Sequence, residues 1–141
     1  MLPEYRVLDP KIETMRPAEI EAMQAERLRY QVRHVYQETS FWRNKFHSAG
    51  ITPDDVKSLE DLQKIPFCTR SELEEDQLAH SPFGSYLAVH PTRLVKYVAT
   101  SGTTGRPLRR VFTARDWGYV IDRFRRSPLV GPGDITIILG P

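Results

Sequence analysis

Only one cysteine, Cys68, occurs in the chain, so no intrachain disulfide can form and a reducing compartment is the expected setting. No apolar run approaches the eighteen or so residues that cross a bilayer, and Met1 to Arg6 lacks the apolar core of a signal peptide. Together these predict a cytoplasmic protein with no membrane partner. Excess charge is also scarce. The net charge of +2 gives no reason to expect nucleic acid as a partner. The four histidines, His34, His47, His80 and His90, are scattered without metal-ligand spacing, so no metal site is expected from them. No Walker lysine follows Gly105, and Gly131-x-Gly133 lacks the third glycine of a dinucleotide fingerprint. Ser101 lacks the flanking glycines of a nucleophile elbow. Internal repeats and low-complexity stretches are missing too.

The residues present describe one domain's worth of ordinary globular chain, 40% hydrophobic and 27% charged over 141 residues. Charge is unevenly spread. Residues 54–76 hold eight acids against three bases, whereas residues 106–126 hold seven arginines against Asp116 and Asp122. Solvated helix faces account for most of these charges, and a polyanionic ligand near the basic half would account for them as well.

Pro17 suits the first position of a helix whose apolar residues Ile20, Met23, Leu28, Val32 and Val35 recur at helical spacing to about Tyr36. Ser40 is placed to cap a second helix that puts Trp42 and Phe46 on one core face and ends at Gly50. Ser58 to Asp61 opens a short helix that Pro66 must end, and Thr69-Arg70-Ser71-Glu72 is a capping box for another running to about His80. Cys68 stands just before it, where a thiol of lowered pKa and a small apolar core residue are both open readings. Ser81 to Ser85 reads as a loop. Strands are expected at Leu94–Val98 and Leu108–Phe112. Thr113 and Asp116 then cap a helix that turns Trp117, Val120, Ile121 and Phe124 inward. The β-branched run Ile135 to Leu139 reads as a strand buried on both faces.

Between the two predicted strands lies Thr100-Ser101-Gly102-Thr103-Thr104-Gly105-Arg106-Pro107. A hairpin needs only two to five connecting residues, so this loop is longer than its geometry requires. Glycines let backbone N–H groups approach an anion, hydroxyls add donors and Arg106 adds a cation. That is the chemistry of a phosphate-holding loop; composition alone leaves a ligand-free turn equally open.

The Ser-Gly-Thr-Thr-Gly-x-Pro segment resembles the phosphate loop of the acyl-adenylate-forming superfamily. Leu8 to Met15, Ser40 to Phe46 with Ala49-Gly50-Ile51, and Leu59 to Phe67 with Thr69 resemble, in the same order, the opening of phenylacetate–CoA ligases. The resemblance implies an incomplete α/β fold. Residues 1–90 would form a mainly helical N-terminal region, and residues 91–141 the start of the large AMP-binding domain, with a β-hairpin, its phosphate loop and the first of its sheet. It implies that Thr100, Ser101, Gly102, Thr103, Thr104, Gly105 and Arg106 bind ATP. Arg106 stands where these ligases tend to have lysine, and Leu108 stands where other superfamily members do. The complete enzyme would join a small aromatic carboxylic acid to coenzyme A through an acyl-adenylate, using ATP and Mg2+. The family's later motifs, which include its Mg2+-binding glutamate and catalytic lysine, have no counterpart here, so no catalytic residue is assigned. The chain is therefore expected to be inactive alone, and to be completed by further sequence, a second chain or a homodimer, with Ile135–Leu139 as an adhesive edge. Two other readings stay open: an adenylating relative that acts on another aryl or amino acid, and a non-catalytic, partner-binding remnant.

Overall fold

The computed structural model describes Val7, Asp9–Thr100 and Pro107–Arg125, and of Arg125 the backbone alone. Within these residues the architecture is α/β, with five α-helices, several 3-10 turns and one antiparallel pair of strands. The expected strand at Ile135–Leu139 lies outside the described residues.

A short helix α1 (Pro10–Glu13) precedes α2 (Pro17–Glu38). Pro17 occupies the first helical position as its missing N–H predicts, and Glu19 returns a carboxylate oxygen to the Arg16 N–H at 2.9 Å. On one face of α2, Leu28, Val32 and Tyr36 meet α3 (Ser40–Ser48), where Phe46 is 1% exposed. Trp42, Ile51 and Ile65 close around them, with Val56 fully buried. The centre of packing is thus helical, two turns of α2 against one of α3, and lies beside the sheet rather than beneath it.

The cap of α3 is Thr39, not Ser40. Thr39 holds extended backbone (φ −127°, ψ 133°), as an N-cap must, whereas Ser40 is already helical. Its hydroxyl donates to the Val35 carbonyl at 2.6 Å and accepts from the Trp42 N–H at 3.3 Å, so one buried side chain ends α2 and starts α3. Thr39→Val keeps the shape and deletes both bonds. It should lower stability by about 1–2 kcal/mol, read from the urea midpoint; an unchanged midpoint would show that the cap carries no weight. Helix α3 ends as Gly50 predicts: at φ +66° it donates to the His47 carbonyl at 3.0 Å, and the Ile51 N–H reaches Phe46 at 3.1 Å. This is a Schellman closure that also delivers Ile51 to the core.

The chain then makes two 3-10 turns, Pro53–Asp55 and Glu60–Lys64; the second is the short helix expected before Pro66, wound as 3-10. Asp61 accepts the Lys57 and Ser58 N–H groups at 2.8 and 2.9 Å, which fixes the entry to that turn. Helix α4 (Arg70–Ala79) opens on the predicted capping box, with the Thr69 N–H donating to Glu72 at 2.6 Å and the Glu72 N–H donating to Thr69 at 3.3 Å. Strands β1 (Leu94–Ala99) and β2 (Arg109–Thr113) pair antiparallel, with Ala99 opposite Arg109. The first is a residue longer than expected, and the second is displaced by one.

Helix α5 (Ala114–Arg125) starts at the expected cap, with Thr113 N–H to Asp116 at 2.9 Å and Asp116 N–H to Thr113 at 3.3 Å. Trp117 sets its ring edge-on to Phe112 of β2 (5.7 Å, 62°) and lies under the Lys96 ammonium. The inward placement of Ile121 and Phe124 fails: they are 47% and 74% exposed. Two strands offer a helix a narrow surface, so Trp117 and Val120 are half-buried while residues 121–124 are exposed.

Candidate functional site: the mouth of the hairpin and its brace

The two strands converge on Thr100. Its N–H donates to the Leu108 carbonyl at 3.1 Å, and its hydroxyl accepts the Leu108 N–H at 2.9 Å. A side chain therefore finishes the ladder where the strands part, and the connection that follows starts and ends at a fixed separation. Ser101, Gly102, Thr103, Thr104, Gly105 and Arg106, the remaining residues expected to hold phosphate, lie outside the described residues.

Helix α4 braces this mouth. Gln77, buried at 6% exposure, lays its amide along the backbone of Arg109. Its Nε2 donates to the Arg109 carbonyl at 2.7 Å, and its Oε1 accepts the Arg109 N–H at 3.1 Å. The side chain thus behaves as one residue of a third strand. Nε2 also donates to the Tyr86 hydroxyl, and burial pushes the Tyr86 pKa up. At the first residue of the same helix, Arg70 directs Nη2 to the Thr100 hydroxyl at 3.4 Å while Nε pairs with Glu74 at 2.5 Å. Arg109 Nη1 donates to the Pro82 carbonyl at 2.9 Å. Sequence reasoning singles out neither Arg70, read there only as a spacer in a capping box, nor Gln77, an ordinary polar helix residue until the fold sets it beside β2.

The turn after α4 is held by Asp76, which accepts the Ser85 N–H and hydroxyl, each at 2.6 Å, and faces His80 Nδ1 at 3.0 Å. Gly84 stands here at φ +84°, where an added Cβ would come within 2.6 Å of the Tyr86 ring and 2.7 Å of Asp76. Glycine is required on both counts.

Two cavities flank the brace. One, of about 540 Å3, lies between α3 and α4, with Lys45, Glu72, Asp76 and His80 on its walls. Lys45 pairs with Glu72, and this bond, followed by the Thr69 backbone N–H, lowers the Glu72 carboxyl to about 2. A carboxylate whose folded pKa is depressed stabilises the fold above its unfolded pKa, near 4.5, and loses that contribution as pH falls towards 2. Acid titration should therefore show an unfolding contribution between about pH 4.5 and 2 that Glu72→Gln removes; identical acid profiles for the two proteins would refute it. Nearby, Cys68 is half-buried, and burial followed by the Glu72 charge raises its thiol pKa, so the lowered-pKa reading is overturned. The other cavity, of about 740 Å3, runs from Leu108 along β2 between α2 and α5. Among the described residues no group of three or more His, Cys, Asp or Glu side chains is placed to hold a metal ion, and no helix is long and apolar enough to cross a membrane.

No protein-family model matches the chain. It is similar to the phenylacetate-coenzyme A ligase of Escherichia coli (strain K12), 36% identical over 130 residues that cover 90% of this chain and 28% of that protein. Against the phenylacetate-coenzyme A ligase of Aromatoleum evansii, identity is 37% over 134 residues, covering 93% and 29%. Among solved structures, 2-hydroxyisobutyryl-CoA ligase in complex with 2-HIB-AMP and CoA superposes with a TM-score of 0.77 at 35% identity, covering 83% of this chain and 25% of that one. The chain spans little more than a quarter of the length of these relatives. Across nine-tenths of its own length it is a homologue of part of the phenylacetate-coenzyme A ligases.

Proposed function

We propose that this chain supplies the helical N-terminal region (residues 1–90) and the phosphate-loop hairpin (from residue 91) of an ATP-dependent acyl-CoA ligase, and that Thr100 to Arg106 hold the β- and γ-phosphates of ATP. The observation that carries this is the closed mouth at Thr100 and Leu108, found in a chain 36–37% identical to phenylacetate-coenzyme A ligases. Both ends of a connection rich in glycine and hydroxyls are pinned to a braced hairpin, which removes the loop-closure part of the entropy cost of bringing its donors to a phosphate. The part it plays is electrostatic: hydroxyls and backbone N–H groups take up charge as pyrophosphate leaves, and Arg106 adds a cation. In the complete reaction a carboxylate attacks the α-phosphate, pyrophosphate departs, and the thiol of coenzyme A then displaces AMP. Among the described residues no group of three or more His, Cys, Asp or Glu side chains is placed to hold Mg2+.

A chimera tests this reading. The matching quarter of the Escherichia coli ligase is replaced by this chain, and phenylacetate-dependent pyrophosphate exchange is measured. Exchange is expected in the chimera and at background in the chain alone. A folded chimera without exchange, or robust exchange by the chain alone, overturns it. The likeness to 2-hydroxyisobutyryl-CoA ligase favours a second reading, in which the acid is a small aliphatic hydroxy acid rather than an aromatic one. Comparing AMP release with the two acids in the same chimera separates them.

A further inference from the structure

Thr100 is the last described residue before the long connection, and its hydroxyl sits where β1 and β2 part. A threonine hydroxyl has two acceptor lone pairs and one proton to give. Both acceptor positions are taken. The Leu108 N–H donates to Oγ1 at 2.9 Å, and Arg70 Nη2 donates to it at 3.4 Å. Neither donor can accept a proton in return, because an amide nitrogen and a guanidinium offer no lone pair. The hydroxyl proton is therefore turned away from both, and among the described residues it meets no acceptor. Oγ1 is held as a donor.

Arg70 is itself held from two directions. It is the first residue of α4, so the Thr69/Glu72 capping box sets its backbone. Its Nε pairs with Glu74 one turn further on, at 2.5 Å. A guanidinium is planar and rigid, so anchoring Nε on a carboxylate also restricts where Nη2 can point. The ammonium of a lysine rotates about a flexible stem and would carry no such direction. A cation donating to Oγ1 also polarises the O–H bond, which makes its proton the better donor.

We propose that Arg70 is a positioning residue, which from α4 sets the Thr100 hydroxyl as a proton donor to an anionic oxygen at the mouth of the hairpin. That oxygen belongs to an ATP phosphate, and to this extent the proposal rests on the phosphate-holding reading above. The test is a cycle of Arg70→Met, Thr100→Val and the double variant, made in the chimera and in the 141-residue chain. In the chimera, Arg70→Met should raise KM for ATP by about fivefold or more and lower kcat by less. Thr100→Val should raise KM further, and the double variant should match it within about twofold, since Arg70 acts only through the hydroxyl. Arg70→Lys, which keeps the charge without the anchored fork, should recover only part of the loss. Independent, multiplying effects in the double variant, or a KM for Arg70→Met within about twofold of the parent's, overturn the proposal and leave the phosphate reading standing. Exchange at background in the folded parent chimera overturns that reading and this proposal with it. The 141-residue chain reads the contact without nucleotide. There Arg70→Met should speed hydrogen exchange at the Leu108 amide by about threefold or more, because Oγ1 can then change rotamer. The same substitution should have no effect on that amide in the Thr100→Val background. An equal effect in both backgrounds would show Arg70 acting through its helix alone, and would overturn the proposal.

Discussion

Replacing Gln77 with leucine should cost about 3 kcal/mol and release the hairpin from α4. Leucine is close in volume to glutamine, so packing is largely kept, but three polar groups lose their partner: the Arg109 N–H, the Arg109 carbonyl and the Tyr86 hydroxyl. Each buried group left unsatisfied costs about 1–3 kcal/mol, and relaxation towards water reduces the sum. Native-state hydrogen exchange reads the effect at its source. The Arg109 amide, protected in the parent, should exchange by local opening in the variant while amides of α2 and α3 keep their relative protection. Gln77→Asn isolates reach from polarity. It has the same amide on a stem one methylene shorter, and it should fail nearly as badly. Parent-like protection of Arg109 in Gln77→Leu would show that the clip is incidental and that something else holds β2. If the clip does hold the mouth, the variant in the chimera should raise KM for ATP more than it lowers kcat, because the loop must then be ordered by the nucleotide itself.

The second large effect belongs to the helical core. Phe46→Ala should lower stability by about 3–5 kcal/mol. Phe46 is 1% exposed, makes an edge-on contact with Tyr36 at 5.9 Å, and is one of only three buried hydrophobic residues among those described, with Val32 and Val56. Neighbours that are themselves half-exposed have little reserve to refill the hole. A small domain has about 5–15 kcal/mol in all, so the variant should lose cooperative thermal unfolding. Calorimetry checks this, and a sharp transition within a few degrees of the parent's would mean that the core lies elsewhere. Phe46→Leu, which keeps most of the volume, should recover much of the loss.

Local features were legible in the sequence because their physics is local. The Thr69/Glu72 and Thr113/Asp116 caps join residues three apart, Pro17 and Gly50 fix their own backbone angles, and the hairpin is two short runs rich in β-branched and aromatic residues around a glycine-rich connection. Cap assignment failed by one residue at Thr39, because the choice between adjacent hydroxyls depends on which of them is still extended, and burial of the α2–α3 junction decides that. The apolar periodicity of α5 was read correctly and placed wrongly: periodicity says which side chains share a face, but only the width of the opposing surface says how many of them it covers. The pairing of Gln77 with Arg109 spans 32 residues and leaves no mark on either segment, since a helical glutamine and a strand backbone amide become partners only when α4 lies along β2. By itself, then, the sequence determined the caps, the turns and the hairpin with its long connection, each set by a few neighbouring residues. Tertiary structure decided which helix braces the hairpin and which arginine reaches its mouth, because separate segments acquire those relations only when packing brings them within a few ångströms.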